Sequence, residues 1–579
     1  MSFAEQEASI AHHIANAPGL ERLRSLAADA EAYSAESVRA VLSAVARFAQ
    51  DKLQPVNAGA DREGARIVDG RVKMPRSLHG VMREFVAEGW PGLSARAEWG
   101  GHDLPLALQA GCQELLDRGC PAFGMLPGLF RSGARLLEAH GAPELKAQWL
   151  PRLASGEWAV TICISEPDAG SDVGRMRSRA WREPGGGWRV SGEKIWISFG
   201  DHDLVERIGH CMLARSDPAS TGVAGLSLFL VPDSHDYGSG RAVRNAVHVR
   251  RVEEKLGLHA SPTCALGFEG ARADLIGEEG RGLQALFAMI GSLRMSVALQ
   301  SLGIASGALG AAMSYAAERR QGGSPASGPV PIIRHADVQR MLLEMAARVE
   351  VVRGLTMALA VALELQDQEA DVESRREAAH LCTWLMPVVK TWGADTAFDV
   401  AHTAIQVLGG AGYTREWPVE QALRDARVFS IYEGTSGMQA LDLLHRRLWR
   451  DEGRGLRRFL ALAWADEARA RDTQPEVAAS AAAVFALLEE CATRLRPDQA
   501  AFAEAGASAF LQLAGLAATS WIALRLALCL DEGPAASKAA AAGRFWLSVA
   551  PARARCAYTE ALLGESRLRE LDAVAAAFL

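Results

Sequence analysis

Two long blocks with the hydrophobic period of a helix enclose a block of strand-and-turn texture, and nowhere do strands and helices alternate. In residues 1–155 apolar positions recur at three- and four-residue spacing, through Val38, Val41, Leu42, Val45 and Phe48 and again through Leu106, Leu108, Leu115 and Leu116. Pro55, Pro91–Gly92, Gly100–Gly101 and Pro121 punctuate this block. From Gly156 to about Gly270 the texture changes. Short runs such as Ala159–Ile164, Trp188–Val190, Ile195–Ser198, Leu226–Val231 and Cys264–Phe268 alternate with turn residues, among them Gly185–Gly187, Pro218, Gly238 and Gly240. After Gly282 the helical period returns, with a stripe through Val338, Met341, Leu342, Met345, Val349, Val352 and Leu359. Long helices are expected over 283–320, 335–367 and 375–408, shorter ones to about 450, and a loop over Gly322–Pro331. Residues 451–579 are alanine-rich and read as further helix. Helical, β, helical, helical is the order, which excludes a Rossmann-type sheet. The expected class is mainly α with a central β domain.

The chain has 579 residues, 62 of them basic and 69 acidic, so it lacks the basic field that phosphate-backbone binding needs. Its nine cysteines form no CxxC pair, and an odd number in a long chain argues for reduced thiols in a cytoplasmic protein. The first twenty residues have no basic region followed by an apolar block, so no signal peptide is expected. The most apolar stretch, Phe510–Leu530, contains Gln512, Gly515 and Arg525 and reads as a buried helix rather than a transmembrane segment.

Several motifs fail on their chemistry. Gly187 to Lys194 approaches a phosphate-binding loop, but Glu193 stands where it would repel the phosphate. His202 and His210 have no supporting cluster, so no metal site is expected. Asp233-Ser234-His235-Asp236 holds triad residue types only as neighbours in a polar loop.

Four distant segments remain. Ile162-Cys-Ile-Ser-Glu-Pro-Asp-Ala-Gly-Ser-Asp172 is a short strand running into a turn, with hydroxyls and bare N–H groups suited to a polar ring edge or a phosphate, or simply a β-turn. Lys194-Ile-Trp-Ile-Ser198 offers Trp196 either for stacking on a planar group or for a core. Gln406-Val-Leu-Gly-Gly-Ala-Gly-Tyr413 places Gly409, Gly410 and Gly412 after a long helix, where a helix cap alone needs one glycine. Arg424 to Gly437 sets Glu433 after apolar Val428, Phe429 and Ile431, where a carboxylate either has a raised pKa and can serve as a base or is simply a solvated surface glutamate.

Taken together, these segments resemble the acyl-CoA dehydrogenase family. ISEPDAGSD is similar to its flavin-binding TEPxAGSD, KIWIS to KxWIT, QVLGGAGY to QxxGGxG, and RDARVFSIYEGTS to RDxxxxxIYEGT. Ala317-Glu-Arg-Arg-Gln321 resembles a helix end whose arginine meets a neighbouring subunit's cofactor, and Leu145–Glu157 is also family-like. The resemblance covers roughly residues 35–450. With the extension at 451–579 and the segment Ile197–Asp203, it leans towards a larger bacterial branch, the 3-methylmercaptopropionyl-CoA dehydrogenase type.

That resemblance implies a fold of helical domain, β-barrel-like domain and four-helix-bundle domain, plus an extra C-terminal helical domain. The implied boundaries are a helical extension over 1–35, then domains over 36–155, 156–275, 276–450 and 451–579. It implies FAD as cofactor and α,β-dehydrogenation of an acyl-CoA thioester to the trans-2-enoyl-CoA. Glu433 would abstract the α-proton, flavin N5 would accept the β-hydride, and an electron-transfer flavoprotein would take the electrons onward. Cofactor contacts carry over to Ile162, Ile164, Ser165, Gly170, Ser171, Trp196, Ile197, Ser198, Arg319, Gln406, Gly409, Gly410, Thr435 and Ser436. Substrate contacts carry over to Ser171, Arg294 and Gly434. A homodimer or homotetramer and a role in fatty-acid β-oxidation follow from the same likeness.

Gly291-Ser-Leu293, where some relatives hold the base instead, carries no carboxylate. Ser165 stands for a commoner threonine, Phe199 for a frequent asparagine and Gly437 for a frequent glutamine. Two other readings share the fold. A nucleic-acid-binding stress protein would need a basic C-terminal domain, whereas residues 451–579 hold 14 basic and 16 acidic residues. A flavin oxidase or monooxygenase usually has aspartate or nothing at the base position.

Overall fold

The computed structural model describes every residue except 28, 237–241, 325, 327 and 579. The chain divides into two compact units. One gathers Phe48–Pro105 and Gly119–Ser296, and the other Met1–Arg47, Leu106–Arg118 and Val297–Leu579.

The first of these units holds the β region. Ahead of it lies a hairpin absent from the helical expectation, β1 (Arg66–Val68) paired with β2 (Arg71–Lys73). Asp69 and Gly70 both have positive φ, 50° and 73°, as a two-residue hairpin turn requires. The remaining strands are β3 (Trp158–Cys163), β4 (Arg179–Arg182), β5 (Trp188–Ser198), β6 (Arg207–Arg215), β7 (Leu226–Pro232), β8 (Ser234–Asp236), β9 (Ala242–Arg244), β10 (Val247–Val252) and β11 (Thr263–Ile276). Seven form one sheet in the order β10-β11-β5-β4-β6-β3, and β7 pairs with both β11 and β6. The strands β11, β5, β4, β6 and β7 therefore close a ring, the expected barrel-like arrangement. Apolar side chains at alternate positions, including Val190, Met212, Phe229, Val231, Leu266 and Phe268, fill a core between the strands. Gly238 and Gly240, read as turn residues, lie outside the described residues.

The other unit is helical. The long helices run Gly282–Glu318 (from Val297 in this unit), Ala336–Gln368 and Val372–Leu408, close to the spans the apolar stripes predict. In the expected loop, Val330–Pro331 pairs with Arg320–Gln321, while residues 325 and 327 lie outside the described residues. Over residues 451–579 the described residues form five α-helices, Arg454–Arg471, Pro475–Arg494, Ala500–Leu528, Pro534–Ala561 and Glu565–Phe578. Trp384, Trp392, Trp521 and Trp546 share one buried cluster with them, so the extension adds to the core of this unit. Gly515 lets two helices approach closely, since a Cβ there would lie 1.5 Å from Trp392 Nε1.

Gly282–Glu318 and Ala507–Leu528 are both long and apolar enough to cross a membrane. In the most apolar stretch of Ala507–Leu528, 83% of the residues are buried inside the protein. Its Arg525 donates to Asp466 at 3.0 Å, and Trp521 Nε1 donates to the same carboxylate at 2.7 Å. The N-terminal helix Phe3–Ala15 is fixed through a buried ionic network. Arg353 bridges Glu114 at 2.6 Å and Glu350 at 3.2 Å, and Glu350 also meets His13 and Lys538, each at 2.8 Å. Burial of Arg353, Glu114 and Glu350 is tolerable because each has an opposite partner, with Lys538 reaching in from the partly exposed rim.

Candidate active site

In the β-containing unit the structure brings the first two sequence segments together. Ile162 lies within β3, and Ile164 and Ser165 follow its end. Glu166 and Ala169 then close a tight turn through reciprocal backbone hydrogen bonds of 3.0 and 3.1 Å. Beyond it, Gly170 and Ser171 are exposed, and a Cβ on Gly170 would meet nothing within 4 Å. Ile195 N–H donates to Ser165 O at 2.9 Å, which sets the turn beside the end of β5.

Lys194 reinforces this junction from beneath. Its buried ammonium donates to Glu166 at 2.7 Å and to Ile164 O at 3.0 Å. Glu166 also accepts from the N–H groups of Arg177 and Ser178, at 2.7 and 3.2 Å. Burial alone would raise the Glu166 pKa, but the ammonium and these donors hold it below the ordinary carboxylate value. Sequence reading gave neither Lys194 nor Glu166 a role, since both stand among polar and turn residues where a buried charge leaves no signal.

A bulge decides the fate of Trp196. Ile197 pairs with Cys264 and Lys194 with Leu266, so Ile195 and Trp196 stand opposite the single residue Ala265. Trp196 takes φ 62° and its side chain is 58% exposed. The core alternative for this residue is thereby corrected: the bulge turns the indole outward. Ile197 returns to the core, Ser198 is half-buried, and Phe199 is buried against His202 with φ 51°. A left-handed backbone suits asparagine, which explains physically why the phenylalanine here is the departure. Arg294 is half-buried on the helix Gly282–Glu318.

In the helical unit Glu433 stands on a short loop between a turn of helix over Arg427–Ser430 and the helix Ser436–Leu441. Thr435 caps that second helix, accepting from Met438 N–H at 3.2 Å. Glu433 itself has φ 54°, uncommon for a residue other than glycine. Lys390, fully buried in the helix Val372–Leu408, donates to Phe429 O and Gly434 O, each at 2.8 Å. Gln439 Nε2 donates to Glu433 O at 3.3 Å and to Gly434 O at 3.4 Å, and Ser436 Oγ to Ser430 O at 3.4 Å. The neighbouring Tyr432 donates to Gln300 at 2.5 Å. Burial, with the Glu433 charge second, pushes the Tyr432 phenol well above its ordinary range. Lys390 and Gln439 were missed from sequence, though a lone lysine inside LMPVVKTW was visible.

Gln406, Gly409 and Gly410 lie at the C-terminal end of the helix Val372–Leu408 and are exposed. Gly409 has φ 60° and ψ −137° and turns the chain sharply, whereas Gly412 is buried, where a Cβ would lie 2.9 Å from Ile405 Cα. Arg319 follows the end of the helix Gly282–Glu318 and is exposed. Neither Gln406 nor Arg319 has a side-chain partner among the described residues, so the structure does not join them to the Glu433 loop. One His/Cys/carboxylate group, His12, Cys529 and Asp531, also occurs among the described residues. The Asn16 amide already sits among these residues and donates to Asp531 at 2.7 Å.

Known proteins resemble the chain over most of its length. The acyl-CoA dehydrogenase N-terminal domain matches residues 35–157, the middle domain 161–271 and the C-terminal domain 280–448. A 3-methylmercaptopropionyl-CoA dehydrogenase from Ruegeria pomeroyi is 38% identical over 520 residues, covering 88% of this chain and 87% of that protein. Among solved structures, an acyl-CoA dehydrogenase complexed with FAD from Bacillus anthracis has a TM-score of 0.75 at 19% identity, covering 93% of this chain and 90% of that one. A chain from the electron-transferring flavoprotein study of Acidaminococcus fermentans has a TM-score of 0.60 at 27% identity, covering 72% of this chain and 98% of that one. This chain therefore belongs to the acyl-CoA dehydrogenase family, whose members are FAD-dependent oxidoreductases.

Proposed function

We propose that the protein converts an acyl-CoA thioester to its trans-2-enoyl-CoA, with Glu433 as the base at Cα. The observation that carries this reading is the Glu433 loop, where the one carboxylate of the IYEGT segment sits half-buried on a backbone fixed from both sides. The residues present suit FAD. Trp196 offers an exposed indole face, Ser165, Ser171 and Ser198 offer hydroxyls, and the Gly170 turn leaves open space for an approaching ligand. In this reading Ile162, Ile164, Ser165, Gly170, Ser171, Trp196, Ile197, Ser198, Thr435 and Ser436 hold the cofactor. Exposed Arg319 and Gln406, with no side-chain partner among the described residues, and Gly409 and Gly410 would reach the cofactor of a second copy. FAD, when bound, supplies the two-electron acceptor for the hydride leaving Cβ.

The work left to the chain is proton chemistry and positioning. A Cα–H bond is acidic only while the thioester carbonyl is polarised, so the site needs donors on that oxygen and a base at Cα. Glu433 supplies the carboxylate that takes the α-proton, and its own N–H is a donor for the carbonyl. Excluding water strengthens both interactions. Arg294, Ser171 and Gly434 are assigned to acyl-CoA binding. An electron-transfer flavoprotein is the proposed acceptor of the electrons, and a cytoplasmic homo-oligomer the proposed form.

An anaerobic visible spectrum of the purified protein tests this reading, taken before and after 3-methylmercaptopropionyl-CoA, butyryl-CoA and octanoyl-CoA. A flavin band that bleaches with one of them supports it and begins to rank substrates. A yellow protein that none of them bleaches, but that consumes oxygen in turnover, points to an oxidase.

A further inference from the structure

We propose that Lys390 is a positioning residue for the base. Its ammonium holds the carbonyls at either end of the Phe429–Gly434 segment and so keeps Glu433 in its left-handed conformation. This rests on the reading of Glu433 as the base.

A fully buried ammonium is costly, and this one stands in an apolar helix wall with Leu385, Val388, Val389 and Trp392. It donates to Phe429 O and Gly434 O, both at 2.8 Å, so one charge grips the segment at both ends. Charge-assisted hydrogen bonds of this length are the strong kind. Between the two grips lies Glu433, whose φ of 54° is unfavourable for a side chain with a Cβ. Such a conformation persists only where its surroundings over-determine it, and strained residues of this kind cluster at active sites. Gln439 adds the missing constraint by donating to Glu433 O and Gly434 O. Because a peptide unit is planar and trans, carbonyls held towards Lys390 and Gln439 turn the N–H groups of Gly434 and Thr435 the other way. Asp395, farther along the same helix, also lies within reach of the Lys390 charge and accepts from Gln512 at 2.9 Å. It contacts none of these carbonyls.

The test compares the FAD-loaded full chain with Lys390→Met, which keeps length and removes charge, with Lys390→Arg, and with Glu433→Gln as reference. FAD content, half-saturation, flavin bleaching rate at saturating acyl-CoA and the isotope effect of an α-dideuterated thioester are measured. Lys390→Met should keep FAD within twofold and half-saturation within threefold, lower the bleaching rate about 10- to 100-fold, and raise the isotope effect. Lys390→Arg should recover part of the rate. Bleaching at the unaltered rate overturns the proposal, and so does a loss that only tracks lost FAD with an unchanged isotope effect. Should Lys390→Met fail to fold, Gln439→Leu carries the same signature, and an unchanged rate in it is equally fatal. If Glu433→Gln itself bleaches normally, the base reading fails. If Glu433→Gln is silent while Lys390→Met is normal, only the positioning role fails.

Discussion

Lys194 and Glu166 form a buried ion pair at 2.7 Å that ties the strand carrying Trp196 to the turn that follows Ser165. Removing one partner leaves a buried, uncompensated charge, which typically costs about 3–5 kcal/mol. Lys194→Met should lower the unfolding free energy from urea titration by that order and release FAD on gel filtration. Adding Glu166→Gln should recover part of the stability, because the stranded charge is then gone. A single variant as stable and as yellow as the parent would show that the pair does not hold the junction.

Glu433→Gln should leave FAD bound and lower the rate of flavin bleaching by acyl-CoA by at least about 100-fold, the range for loss of a general base. The amide keeps the shape of the side chain and cannot take a proton. Stopped-flow absorbance checks this, and normal bleaching would reassign the base.

Acid stability should depend on Glu350. Burial opposes its charge, but Arg353, His13 and Lys538 hold its pKa well below the ordinary 4.5. A depressed folded-state pKa contributes stability that is fully present above the unfolded value and is lost as pH falls through 4.5 towards the folded value. Glu350→Gln should therefore be less stable at pH 7 by about 3–5 kcal/mol and show a flatter loss of stability below pH 5. Urea unfolding at pH 7 and pH 4.5 measures both.

Thiol labelling should find one fast cysteine. Seven of the nine are buried, Cys529 is intermediate and Cys556 is exposed. Burial also pushes Cys163, Cys264 and Cys491 up to about 12, which suppresses the reactive thiolate. Mass spectrometry after brief alkylation should show a single adduct that Cys556→Ala abolishes. Fast multiple labelling would mean that the core opens readily.

Much of this molecule was legible along the chain. Apolar stripes at helical spacing predicted the helices over 283–320, 335–367 and 375–408 to within a few residues, because long amphipathic or buried helices impose one period on many positions. The motif around Glu433 and the turn at Ser165 were equally visible, since each is built from residues adjacent in sequence. Short features were harder. The hairpin at Asp69–Gly70 spans two three-residue strands, too few to establish a period against a helical background.

Tertiary structure decided the rest, for a physical reason that local pattern does not contain. The exposure of Trp196 depends on one extra residue in β5 relative to β11, and the partner strand lies some 70 positions away. Lys390 reads as an anomaly in an apolar helix until the carbonyls of Phe429 and Gly434 are brought to 2.8 Å from its ammonium. The sequence by itself determined the elements, the family and the residue types that bear the chemistry. Only the fold determined which buried charge meets which carbonyl or carboxylate, because hydrogen-bond partners are chosen by distance in space and not by separation along the chain.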